Sequence, residues 1–191
     1  MKKRYKKHVT KKETTMTRIK NWSVSILLAG AMLWGLQCYS ASSLKFAQVS
    51  DVHFYTGENN TTFKMIAESP KLLDDAIDQI NSTPNVSFVM FTGDQIDKSF
   101  EKELSAFLPH TTKLNAPWYF AFGNHDTCIG GYLTPALYMQ LVNEYNKNYK
   151  FEKSYYSFVP QKGYKAIVLD TIIRDRLTSN GRLGEQQLAW L

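Results

Sequence analysis

Cysteine is scarce in this chain of 191 residues, and its scarcity excludes a fold held together by disulfides. The two cysteines are Cys38 and Cys128. Cys38 lies in an N-terminal segment that we expect to be removed. Cys128 would then stand alone, and no internal disulfide could form.

A positive charge excess is also missing from most of the chain, although the whole sequence has a formal net charge of +6. Residues 1–40 hold nine Lys/Arg and one acid, whereas residues 41–191 hold fourteen Lys/Arg and sixteen Asp/Glu. The basic excess therefore belongs to the N-terminal segment. We expect no basic nucleic-acid-binding face on the folded part, whose ordinary apolar content is typical of a globular protein.

No apolar run reaches the roughly 20 residues that a membrane span needs. A lysine-rich stretch precedes a shorter apolar run from Val24 to Leu36, and small residues follow it. This layout predicts a signal peptide over residues 1–40 and an exported protein, periplasmic or secreted. The alternatives are an uncleaved membrane anchor formed by residues 22–38 and a start at Met16 rather than Met1.

Residues 41–191 alternate between apolar runs and helical patterns. Strands are predicted at Leu44–Val49, Val86–Thr92, Trp118–Phe122, Ser154–Val159 and Tyr164–Asp170. Helices are predicted to begin at Pro70, to span Glu101–Leu114 and Pro135–Asn148, and to begin again at Gly184. The repeated strand–loop–helix units predict an α/β fold with a largely parallel sheet, followed by a hairpin.

Three of these strands run straight into residue types that bind metals. The three segments are Asp51-Val52-His53, Gly93-Asp94 and Gly123-Asn124-His125-Asp126. Because the carboxyl ends of parallel strands meet at one edge of a sheet, we expect the three segments to converge. Carboxylate, imidazole and carboxamide together suit divalent Mn, Fe or Zn.

The residue types also suggest which side chains would bind each of two ions. Asp51 and His53, two apart on an extended segment, are expected to face one ion. Asp94 has two carboxylate oxygens and is suited to bridging, and Asn124 would give a neutral oxygen to a second ion.

In this order, the three segments resemble the calcineurin-like metallophosphoesterase superfamily, and the resemblance covers residues 44–191. It implies an αββα sandwich, in which two packed sheets are flanked by helices. It also implies hydrolysis of phosphate monoesters or diesters at a dinuclear metal site by a metal-activated water. Any membrane contact would come only through the N-terminal segment.

The resemblance assigns roles to six residues. The metal ligands would be Asp51, His53, Asp94 and Asn124, and the catalytic residues would be His125 and Asp126. His125 would act on the leaving group, and Asp126 would orient the ring of His125.

The family's later histidine motifs, including a Gly-His-x-His, have no counterpart here, because no histidine follows His125. We therefore expect residues 41–191 to be the N-terminal part of a phosphoesterase domain, inactive as it stands. His110 is expected to be an exposed helix residue. Asp97 stands where purple acid phosphatases carry a tyrosine, which argues against that subfamily. The alternatives are an inactive metallophosphoesterase-like binding or scaffold protein, and a membrane-anchored interaction module.

Overall fold

The structure of this chain is a computed structural model that describes residues 43–128, 130–176 and 178–191. The predicted signal peptide or anchor, residues 1–40, lies outside the described residues. The chain from Leu44 to Leu191 forms one unit. Among the described helices, none is both long enough and apolar enough to cross a membrane.

The order of elements follows the sequence-based prediction, with ends shifted by a few residues. The strands are β1 (Phe46–Val49), β2 (Phe88–Thr92), β3 (Trp118–Ala121), β4 (Tyr156–Gln161) and β5 (Tyr164–Val168). The helices are α1 (Ser69–Ser82), α2 (Glu101–Thr111), α3 (Asn124–Thr127), α4 (Pro135–Tyr145) and α5 (Glu185–Trp190), and a 3-10 turn spans Ile66–Glu68. The short helix α3 was not predicted.

β1, β2 and β3 form a parallel sheet in that order, and β4 and β5 form an antiparallel hairpin. The parallel α/β sheet predicted from the sequence is thus confirmed. β2 and β3 are buried along almost their whole length because their runs of aromatic and aliphatic residues are covered on both faces. The hydroxyl of Tyr156 accepts from the N–H of Phe120 and donates to its carbonyl, which joins the hairpin to β3.

The helices α1 and α2 pack side by side and bury Leu73, Ile77, Leu104 and Phe107. The expectation that His110 is exposed is wrong, since its side chain is only 19% exposed. Its Nδ1 lies 2.6 Å from the carboxylate of Asp74 on α1. Burial tends to raise the pKa of Asp74, but hydrogen bonds from Lys113 and His110 outweigh it and the pKa is lowered. This contact fastens the end of α2 to α1.

Candidate metal centre

The segment that follows β1 is tied by its backbone to the segment that follows β2. The N–H of Asp51 donates to the carbonyl of Gly93 at 3.1 Å, and the N–H of His53 donates to the carbonyl of Asp94 at 2.9 Å. The parallel pairing of the strands therefore continues into the two loops. It brings the first two predicted ligand segments to the same edge of the sheet, as expected.

Three of the predicted ligands have a left-handed backbone. The φ angle is 54° at Asp51, 46° at His53 and 51° at Asp94. Residues with a Cβ rarely adopt this conformation, and strained backbone of this kind costs about 1–3 kcal/mol per residue and clusters at functional sites. The extended geometry expected for Asp51 and His53 is therefore wrong, because each of them turns the chain.

The glycines of the motifs are required by close packing between the loops. Gly93 has a φ of 109°, which glycine alone adopts readily. A Cβ placed on Gly123 would lie 2.0 Å from Oδ1 of Asp94 and 2.2 Å from its backbone nitrogen. Only glycine at position 123 lets the third segment approach Asp94 this closely.

His53, Asp94 and His125 form a group whose potential ligand atoms all lie within 4.8 Å of one another. The Nε2 atom of His53 is 3.7 Å from Oδ2 of Asp94. Oδ1 of Asp94 accepts from the backbone N–H of His125 at 3.0 Å, so the two carboxylate oxygens face different segments. The two imidazole rings are perpendicular, with centroids 4.6 Å apart.

The other two predicted ligands, Asp51 and Asn124, adjoin members of this group. Oδ1 of Asp51 is 3.9 Å from Nε2 of His53, and the Asp51 side chain is 65% exposed. The hydroxyl of Ser50 donates to the other oxygen of Asp51. Asn124 is half-buried and begins α3, directly before His125.

Asp126 is fully buried and contacts backbone rather than the ring of His125. Its Oδ1 accepts from the N–H groups of Gln95 and Ile96 at 2.8 and 3.2 Å, and its Oδ2 accepts from the N–H of Gly123 at 2.7 Å. Burial raises the pKa of Asp126 to about 8, although these three donors favour the ionised form. Asp126 thus fastens the loop after β2 to the loop after β3.

The ring of His125 is held by a different group. Its Nδ1 lies 2.5 Å from the carbonyl oxygen of Asp97. Because a carbonyl only accepts, Nδ1 carries the proton, and Nε2 is the nitrogen available to bind a ligand or exchange a proton.

Asp97 is a residue of this site that the sequence analysis did not identify as a participant. Its carboxylate lies 3.2 Å from Nδ1 of His53, and its side chain is only 10% exposed. A carboxylate beside the far nitrogen of a ligating histidine fixes the ring and its tautomer, leaving Nε2 for the metal. The available signal was an aspartate three residues after Asp94 and next to the apolar Ile96.

The electrostatics of the site keep His53 in the form that binds metals. Burial lowers its pKa, and the charges of Lys64 and His125 lower it further, against the opposing effect of Asp94 and Asp97. A neutral imidazole keeps the lone pair that a metal needs. The donor set of carboxylates and imidazoles, with a carboxylate behind one ring, fits divalent Mn, Fe or Zn.

The calcineurin-like phosphoesterase family model matches residues 44–187. Since that span covers most of the sequence, the chain belongs to the calcineurin-like phosphoesterase family. A search of curated proteins found no match to this chain. The family resemblance and the αββα class inferred from the motifs are confirmed, and the family's dependence on divalent metals agrees with the group formed by His53, Asp94 and His125.

Asp97→Asn is expected to weaken metal binding about 10–100-fold, because the ring of His53 loses the charge that fixes its tautomer. The carbonyl of Asp97 that holds His125 is unchanged in this variant. Calorimetric titration of the full-length protein with Mn²⁺ measures the change. Asp75→Asn, at an exposed position on α1, is the matched control and should leave the affinity unaltered. Equal affinities in the two variants would remove Asp97 from the site.

Proposed function

We propose that this protein is a metal-dependent hydrolase of phosphate monoesters or diesters that uses two divalent ions, Mn, Fe or Zn. The observation that carries the proposal is the convergence of His53, Asp94 and His125 in the three motif segments of a phosphoesterase family. It is supported by the left-handed backbone that the fold maintains at Asp51, His53 and Asp94.

The structure suggests how the ligands would be divided. Asp51 and His53 would hold the first ion, since Oδ1 of Asp51 and Nε2 of His53 face each other at 3.9 Å. Asp94 would bridge, because it lies between His53 and the segment of Asn124, which would hold the second ion. Bound divalent ions would supply polarisation of the phosphoryl oxygens and a water acidic enough to attack phosphorus near neutral pH.

Of the remaining residues, His125 would protonate the leaving group and Asp126 would position the loops of the site. His125, fixed through Nδ1 by the carbonyl of Asp97, would present Nε2 to the departing ester oxygen and give it a proton. Asp126 would act through the backbone, because its three hydrogen bonds set the spacing of the loops that carry Asp94 and His125.

We also propose that the protein is exported, with residues 1–40 as signal peptide, or else anchored by residues 22–38. The near-neutral charge of residues 41–191 argues against a nucleic acid as the partner of the domain. The N-terminal sequence of the protein purified from its host separates cleavage near residue 40 from retention of an anchor.

The test of the function is removal and return of the metal. The full-length protein, stripped with a chelator, should lose hydrolysis of p-nitrophenyl phosphate or bis-p-nitrophenyl phosphate and should regain it with Mn²⁺, Fe²⁺ or Zn²⁺. Elemental analysis should then find about two ions per chain. Activity that survives complete metal removal would overturn the proposal. Metal and phosphate binding without turnover of any ester would favour the inactive binding protein instead.

A further inference from the structure

Lys64 lies outside the three motif segments, yet its ammonium group reaches into the candidate metal centre. Its Nζ is 3.3 Å from Nδ1 and 3.4 Å from Nε2 of His53, and 3.5 Å from Oδ1 of Asp97. The side chain is one-third exposed, so the charge sits at the boundary between the site and solvent.

The backbone that presents Lys64 is well fixed. The N–H of Lys64 donates to Oγ1 of Thr61, and the N–H of Thr61 donates to the carbonyl of Lys64. Earlier in the same loop, the N–H and hydroxyl of Thr56 both donate to the buried carboxylate of Glu103, at 2.8 and 2.9 Å. The loop therefore holds Lys64 beside His53, and only the side chain has to move for Nζ to change partners.

The contacts of Lys64 give its ammonium group no strong acceptor. Its Nζ lies almost equally far from the two ring nitrogens of His53, so it is not aligned with the lone pair of either, and neither contact is a good hydrogen bond. Lysine has three N–H donors, and the carboxylate of Asp97 at 3.5 Å is a weak acceptor for them. The donors of Lys64 are therefore available to a stronger acceptor beside the site, and a phosphoryl oxygen is such an acceptor.

A cavity of about 390 Å³ opens beside Lys64. Asp51, His53 and Lys64 line one part of it, and Met65, Leu72 and Leu73 line another. Met65 and Leu72 are 67% and 55% exposed, so this wall offers apolar surface to a ligand. Cavities of this size, mostly apolar with a few polar groups, are typical of small-molecule sites.

We propose that Lys64 binds a phosphoryl oxygen of the substrate and that the adjoining cavity holds an apolar ester group. The substrate class is then a phosphate ester of an apolar alkyl or aryl alcohol. This inference rests on the proposed phosphoesterase function and adds a specificity-determining residue to it.

The first test measures binding of inorganic phosphate to the Mn²⁺-loaded full-length protein by calorimetry. Lys64→Met is expected to weaken phosphate binding about 10-fold, because a charge-assisted hydrogen bond is lost. Lys64→Arg should retain most of the affinity, and Mn²⁺ content should not fall in either variant. Lys71→Met, at an exposed lysine on α1, should behave as the wild type. Unchanged phosphate affinity in Lys64→Met, or loss of Mn²⁺ from it, would overturn the role of Lys64.

The second test measures how much the apolar group of the ester contributes to binding. Hexyl phosphate is expected to bind about 10-fold tighter than methyl phosphate, since the longer chain buries more apolar surface. Leu72→Asn should reduce this difference while leaving the affinity for methyl phosphate unchanged. Equal binding of the two esters to the wild type would refute the apolar specificity. Both tests measure binding, so they can succeed even when turnover is absent. If the protein hydrolyses phosphate esters but Lys64→Met does not change phosphate binding, this inference is refuted and the proposed function stands.

Discussion

His125→Ala is expected to lower kcat about 10²–10⁴-fold for phosphate esters with poor leaving groups, while the metal content stays close to that of the wild type. The physical reason lies in how the ring is held. Its Nδ1 donates to the carbonyl of Asp97, so Nε2 is the nitrogen that can deliver a proton to the departing oxygen. Without the imidazole, that oxygen leaves as an anion that the protein does not protonate.

The size of the effect should depend on the leaving group. Nitrophenyl esters release an anion that needs little protonation, so the loss in His125→Ala should be much smaller for them than for alkyl esters. His110→Ala is a useful control, because this histidine lies on α2 and bonds to Asp74. Equal losses for alkyl and nitrophenyl esters would argue against proton donation. Loss of bound metal would instead make His125 a ligand, as its grouping with His53 and Asp94 allows.

The fold could be predicted from the sequence because its signals are local. Runs such as Phe88–Thr92 and Trp118–Ala121 are short, apolar and rich in β-formers, and each is followed within two residues by a glycine and then a polar residue. The position of that polar residue at a strand end places it at the edge of a parallel sheet without any knowledge of side-chain packing. This is why the predicted segments of Asp51, Asp94 and His125 do converge in the structure.

The contacts within the site could not be predicted, because they depend on loop conformations that no periodic pattern encodes. Asp51, His53 and Asp94 have positive φ, and although aspartate and histidine adopt it more often than most residues, the residue type alone does not predict it. The carboxylate of Asp126 binds the N–H of Gln95, which is 31 residues away, and this contact exists only because two loops meet.

The same limit explains why the sequence does not predict that Asp97 and Lys64 contact His53. A single aspartate or lysine carries no motif, and each comes to His53 through the path of its own loop rather than through a strand. Asp97 is placed by a short parallel bridge between Phe54 and Ile96, which extends the pairing of β1 and β2 past their ends. Lys64 is placed by the turn at Thr61.

Among the substitutions considered, replacement of Asp94 should weaken metal binding most, because Asp94 contributes the carboxylate of the group formed by His53, Asp94 and His125. Its Oδ2 faces Nε2 of His53 at 3.7 Å, and its Oδ1 accepts from the N–H of His125. If Asp94 bridges two ions, Asp94→Ala should reduce the metal content from about two ions per chain to none. Turnover should fall at least as far as in His125→Ala.

A second variant is needed to interpret that result, because the backbone of Asp94 has a left-handed conformation. Its φ of 51° is strained for alanine but accessible to glycine, so Asp94→Ala gains strain that Asp94→Gly avoids, while both variants lose the carboxylate and its hydrogen bond from the N–H of His125. Loss of both ions in Asp94→Ala and in Asp94→Gly, measured by elemental analysis, would show that the carboxylate itself holds them. Asp94→Asn keeps the shape and removes the charge, so it should bind metal more weakly than the wild type but not lose it entirely. If Asp94→Gly retains two ions, Asp94 is not the bridging ligand and the loss in Asp94→Ala comes from the distorted loop.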